Sequence, residues 1–77
     1  MNTSEIGVFL KNKRKDNNLT QLNVAEYLNV SPQAVSKWER LECLPDITLL
    51  PEIAKLYQIS VQDIINSGTV QNDINSN

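Results

Sequence analysis

The chain has 77 residues, a net charge of −2, one cysteine and no histidine, so it reads as one small domain; at this length only about 60–65% of the unfolded surface is buried. The single Cys43 excludes an internal disulfide and reads as a small, partly buried apolar residue, and the ligands of a zinc site are missing. There is no basic-then-apolar leader and no apolar run near the length of a membrane span, so a cytoplasmic protein with no membrane partner, metal or cofactor is expected.

Thr3 or Ser4 can cap a first helix running to about Asn17, with Ile6, Phe9, Leu10 and Lys13 on one stripe. Asn18 stands where a left-handed residue would end it. Thr20 caps a second helix, "TQLNVAEYL", with Val24, Ala25 and Leu28 on its inner side and Asn29 as its left-handed terminator. Ser31 caps a third helix that starts with Pro32, where a missing N–H costs nothing, and runs to about Arg40. Val35 and Trp38 anchor it. The stretch "LECLPDI" is a connector. Thr48 is the expected cap of a fourth helix, with Pro51 at its third position and Leu50, Ile53, Ala54 and Tyr57 facing inward. After the tight turn "QIS", Ser60 and Asp63 form a capping box at the start of a short fifth helix, "VQDII". Residues 1–66 are thus expected to form the domain, and 67–77 a polar tail or linker stub.

Charge is unevenly spread. Residues 1–40 carry a net +2 and residues 41–77 a net −4, so one end can attract phosphate while the other repels it. The second and third helices are joined by only a few residues, which suits a steep crossing of the helix-turn-helix kind. Small Ala25 permits close approach and Val30 can plug the turn. Ser31, Pro32, Gln33, Ser36 and Lys37 then remain exposed. On residue chemistry alone, that face is equally an ordinary wet surface.

The pieces "IGVFLKNKRKDNNLTQ", "VAEYLNVSPQAVSKWER" and "LPDITLLPEIAKLYQISVQDII" together resemble lambda-repressor-like and XRE-type helix-turn-helix regulators over about four-fifths of the chain. The resemblance implies a compact all-α, five-helix DNA-binding domain, often dimeric, with the third helix in the major groove. It implies base reading by Gln33, Ser36, Lys37 and Pro32. Gln33 has the chemistry to pair with adenine N6 and N7, Lys37 to reach guanine or phosphate, and the Pro32 ring to touch a thymine methyl. It implies backbone contacts by Gln21, at the start of the second helix, and by Ser31. Arg40 and Lys15 or Lys11 are candidate backbone contacts at the edges. Arg14 and Glu39 match a structural ion pair that ties the first helix to the end of the third.

The sequence departs from the family pattern where Asn18, Asn29 and Leu41 replace glycine. Leu41 requires either a strained backbone or a different connector path. Lys13 replaces a commonly apolar residue, and its stem can cover the core edge. Leu41, Cys43 and Leu44 form either a local cap on the core or a subunit contact. Leu49, Leu56, Ile59, Val61 and Ile65 form a candidate dimer surface, or else simply core.

The expected function is sequence-specific binding of double-stranded DNA at a palindromic operator, as a homodimeric transcription regulator of the repressor type. Such a protein would be bacterial or phage-encoded and associated with the nucleoid. The rival expectation is a protein-interaction module, an antitoxin or antirepressor whose principal partner is a protein. An enzyme is not expected: no histidine, glycine-rich phosphate loop or paired carboxylates in an apolar cleft are seen.

Overall fold

The computed structural model describes residues 4–69. Five α-helices follow one another: α1 Ser4–Asp16, α2 Gln21–Leu28, α3 Pro32–Glu39, α4 Leu50–Tyr57 and α5 Val61–Thr69. A 3-10 turn, Ile47–Leu49, leads into α4. No strand occurs among the described residues, and the all-α architecture is the expected one. The alternative cap Thr3 and residues 70–77 of the expected tail lie outside the described residues.

Side chains start most of the helices. The Thr20 hydroxyl accepts from the Asn23 N–H at 3.0 Å, and the Asn23 Oδ1 accepts from the Thr20 N–H at 2.9 Å. Ser31 Oγ accepts from the Ala34 N–H at 3.1 Å ahead of Pro32. Ser60 and Asp63 make the reciprocal bonds of a capping box, at 3.0 and 3.1 Å. The start of α4 differs from expectation. Asp46, not Thr48, is the capping residue: its Oδ1 accepts from the Thr48 N–H at 2.9 Å and from the Thr48 hydroxyl at 2.8 Å. Thr48 is consumed by that turn, and α4 begins at Leu50 with no side-chain cap. Pro51 is therefore at the second helical position rather than the third, still within the turn whose N–H groups lack helical acceptors. α5 also runs beyond "VQDII" to Thr69, into the segment expected to be tail.

Four helices end on a left-handed residue that is not glycine: Asn18, Asn29, Leu41 and Gln58, with φ of 58°, 60°, 60° and 59°. Each is closed by the same bonded turn. After α1, for example, the Leu19 N–H donates to the Arg14 carbonyl at 3.1 Å. The connector thus takes the strained path at Leu41.

The core comprises Leu10 from α1; Val24, Ala25 and Leu28 from α2; Val35 and Trp38 from α3; Ile53, Ala54 and Tyr57 from α4; and Ile64 from α5. α1 lies across both α3 and α5, while α2 packs on α3 and α4. Leu50 is half-buried rather than fully inward. Cys43 is exposed, not the partly buried residue expected, because the connector holds it off the core. Lys13 is half-buried, and its ammonium lies 5.6 Å from the centre of the Phe9 ring. Gly7 sits where α1 meets the end of α3. A Cβ there would stand 2.5 Å from the Glu39 carbonyl oxygen and 3.1 Å from that of Trp38. The backbones of the two helices are therefore in direct contact.

Candidate nucleic-acid interface

α2 and α3 are joined through Asn29, Val30 and Ser31. The left-handed Asn29 reverses the chain, the Val30 N–H donates to the Ala25 carbonyl at 3.0 Å, and Ser31 opens α3 at once. Ala25 is sealed in the crossing, and Val30 is half-buried against the core. This is a helix-turn-helix in geometry.

The end of α3 is held by a buried polar cluster. Arg14 Nε donates to Glu39 Oε2 at 2.7 Å, and Nη2 to Oε1 at 3.1 Å. The two side chains are only 10% and 4% exposed. Arg14 Nη1 donates to the Leu19 carbonyl at 2.8 Å, and Gln21 Nε2 donates to Glu39 Oε1 at 3.0 Å. One carboxylate thereby gathers the end of α1, the start of α2 and the end of α3. Hydrogen bonding to Glu39 raises the Arg14 guanidinium above its ordinary value, outweighing desolvation. Tyr57 packs nearby. Burial, with help from the Glu39 charge, pushes its phenol well above the usual range.

What α3 leaves outward is narrow. At about 100° per residue, Gln33, Ser36, Lys37 and Arg40 fall on a stripe about 100° wide, opposite Val35 and Trp38. Gln33, Lys37 and Arg40 are exposed, as are Ser31 and Pro32 at the start of the helix. Ser36 is half-buried, because it flanks the packed side of α3, so it is less open than expected. The Ser31 oxygen already accepts the cap bond, leaving its hydroxyl proton available to a phosphate. Gln21 is half-buried, and one N–H of its amide is on Glu39, so a phosphate contact would use the second amide N–H or the backbone N–H. Lys11 and Lys15 are exposed on α1. Arg40 sits near Glu42, Nη1 to Oε2 at 3.5 Å.

A family model described as a helix-turn-helix matches residues 10–64. The chain belongs to the helix-turn-helix family. The match spans the segment from Leu10 in α1 to Ile64 in α5, so it includes the buried cluster and the whole outward stripe. The chain is also similar to the HTH-type transcriptional activator BcrR of Enterococcus faecalis, with 35% identity over 57 residues. That similarity covers 74% of this chain but 28% of the relative, so the chain spans little more than a quarter of that protein's length. No solved structure matches the chain.

Other features of this helix-turn-helix domain bear on alternatives that the residue pattern left open. Of the five residues on the expected dimer surface, Leu49, Leu56, Ile59 and Val61 are half-buried against the core, and only Ile65 is exposed. The more exposed apolar side chains lie elsewhere and are scattered: Ile47 is 77% exposed, and Val8, Leu44, Leu22 and Tyr27 are each more than half exposed. A small apolar cavity of about 100 Å³ lies between Ile6, Leu44, Pro45, Leu50, Ile64 and Ile65. Among the described residues no group of His, Cys, Asp and Glu is placed to hold a metal, and no helix is long and apolar enough to cross a membrane. Gly7 and Asn17 were not singled out from sequence. Asn17 Nδ2 donates to the Lys13 and Tyr57 carbonyls at 2.8 and 3.2 Å, and its Oδ1 accepts from Gln58 at 3.1 Å, joining the ends of α1 and α4.

Proposed function

We propose that this domain reads double-stranded DNA in a sequence-specific way, as part of a transcription regulator, with α3 lying in the major groove. The observation that carries the proposal is the buried cluster of Arg14, Gln21 and Glu39. It fixes α3 rigidly while Gln33, Lys37 and Arg40 stay exposed on one stripe. A rigid polar stripe is what base reading needs, because bidentate contacts tolerate little misplacement. Gln33, Ser36, Lys37 and Pro32 are the base-reading residues in this proposal. Ser31, Arg40, Lys15 and the start of α2 at Gln21 contact the backbone.

The regulator acts in the cytoplasm, on nucleoid DNA. It binds a palindromic operator as a two-fold dimer with half-sites about one helical turn apart. It represses by occupying that operator, since occlusion needs no contact beyond DNA. The similar BcrR is an activator by name, but the shared segment is too small a part of that protein to carry the sign of regulation over. Selection from random duplexes tests the reading. An enriched half-site is expected, with Gln33→Ala and Lys37→Ala each weakening binding to it. Absence of any enriched site, with binding unchanged in both variants, would overturn it.

A second reading is a protein-interaction module of the antitoxin or antirepressor kind. The exposed Leu44, Ile47 and Ile65 and the acidic second half of the chain favour it. A partner retained in a pull-down after nuclease treatment would support this reading; loss of all partners with nuclease would support DNA.

A further inference from the structure

We infer that Glu42 competes with DNA phosphate for Arg40 and so sets the strength of the backbone contact at the C-terminal end of α3; this rests on the DNA-reading assignment above. α1, α2 and α4 each end in the same turn. The residue after the left-handed position is apolar and packs on the core: Leu19, Val30 and Ile59. α3 ends in that turn too, with the Leu41 N–H on the Trp38 carbonyl at 3.2 Å and the Glu42 N–H on the Lys37 carbonyl at 2.9 Å. Here the equivalent residue is a carboxylate, and it is exposed.

That placement is electrostatically poor for α3, since an acid at a helix C-terminus faces the negative end of the helix dipole. The left-handed Leu41 turns the chain back, so that Glu42 meets Arg40 at 3.5 Å, with both side chains more than half exposed. Arg40 Nε also donates to the Ser36 carbonyl at 3.4 Å, which keeps the guanidinium along the helix end. Of the two cations on the outward stripe, Lys37 is in no ion pair among the described residues, whereas Arg40 is already partnered. A surface pair of this kind is weak enough to exchange. Arg40 therefore reaches phosphate by changing partners and not as a free cation. Fewer counterions are released than the stripe's two cations would suggest.

The test is a charge cycle at two salt concentrations. Wild type, Glu42→Gln, Arg40→Gln and the double variant are titrated with a random-sequence duplex and with a duplex enriched by selection, at about 50 and about 200 mM salt. Glu42→Gln is expected to bind both duplexes more tightly and to steepen the log–log salt slope by up to about 0.9, about a threefold change across that range. In the Arg40→Gln background the same change should leave the slope unaltered. An equal slope in wild type and Glu42→Gln overturns the inference. So does a slope that steepens just as much without Arg40, which marks general charge removal. Failure of wild type to bind either duplex removes the DNA-reading assignment itself, and this inference with it.

Discussion

Gln21 and Glu39, at the start of α2 and the end of α3, are joined by a 3.0 Å hydrogen bond from amide nitrogen to carboxylate oxygen. The same Glu39 oxygen accepts from Arg14, so the orientation of the first-turn glutamine and the angle of α3 depend on one buried carboxylate. Stability and presentation of the outward stripe are therefore coupled at a residue that itself points inward.

Removing Glu39 should lower the stability of the domain before it does anything subtler. Glu39→Ala strands the Arg14 guanidinium in a nearly sealed site and leaves Gln21 without its acceptor. Breaking one side of a buried pair costs about 3–5 kcal/mol. A chain of this size has only about 4–12 kcal/mol in all. Thermal unfolding followed by circular dichroism should show a large fall in Tm. The double variant Arg14→Met, Glu39→Leu should recover much of it, because no charge is stranded. An unchanged Tm in Glu39→Ala would refute the structural role.

Gly7→Ala should destabilise, although alanine is the better helix former by about 1 kcal/mol. The new methyl would fall 2.5 Å from the Glu39 carbonyl oxygen and 3.0 Å from its carbon. Both atoms are backbone, so α1 must move away from α3. Overpacking of this kind costs about 1–3 kcal/mol. Denaturant titration would measure it, and a net gain in stability would show that the two helices can separate without loss.

The helix starts were legible because Thr20, Ser31 and Ser60 use short-range cap chemistry that sequence spacing exposes. The start of α4 was not, since the Thr48 N–H and hydroxyl both donate to Asp46 and only the connector's path brings that carboxylate to them. The outward stripe was legible from helical period, with Ser36 the exception: a position at the edge of the stripe is buried or not according to its neighbours in space. The Arg14–Glu39 pairing came only from resemblance, because 25 residues separate the partners. Gly7 left no periodic signal. An unfilled position in a helix looks like a weak spot until the opposing backbone is seen. For the same reason Leu49, Leu56, Ile59 and Val61, half-buried against the core, read from sequence as either a dimer surface or core.

Tyr57 should make the domain sensitive to alkali. Its phenol is pushed above the ordinary value of 10.0, first by burial and then by the Glu39 charge. The unfolded chain therefore gives up this proton at lower pH than the folded one. The resulting stability is fully present below about pH 10 and is lost as pH rises through the folded value. Stability measured across that alkaline range should fall for wild type, and the fall should be shallower in Tyr57→Phe. Parallel curves for the two proteins would rule out this origin.

Reading by α3 should separate from stability. Gln33 and Lys37 are exposed, and no hydrogen bond ties their side chains to the described residues, so Gln33→Ala and Lys37→Ala should leave stability within about 0.5 kcal/mol of wild type. On a selected duplex Gln33→Ala should lose about 1–3 kcal/mol of discrimination at one base position. Lys37→Ala should either do the same or, if it meets phosphate, lower the salt slope by about 0.9 for every sequence. Gel-shift titrations on single-base variants of the selected site distinguish the two.

Leu41→Gly should stabilise. Leu41 holds φ at 60° so that the Glu42 N–H can reach the Lys37 carbonyl. For a residue with a Cβ the left-handed conformation costs about 1–2 kcal/mol. Glycine removes that strain but adds about 0.5–1 kcal/mol of chain entropy to lose on folding, and the half-buried leucine gives up some contact. The net expectation is a gain of about 0.5 kcal/mol. Gln58, also left-handed, should gain less from the same change, because its side chain donates to Asn17 at 3.1 Å. Asn18 and Asn29 should gain least, since asparagine tolerates this backbone. The decisive measurement is the order of the four glycine variants in one denaturant series. If Leu41→Gly ranks below the two asparagine positions, contacts made by the leucine outweigh its backbone strain, and the end of α3 is held by packing instead of by the bonded turn.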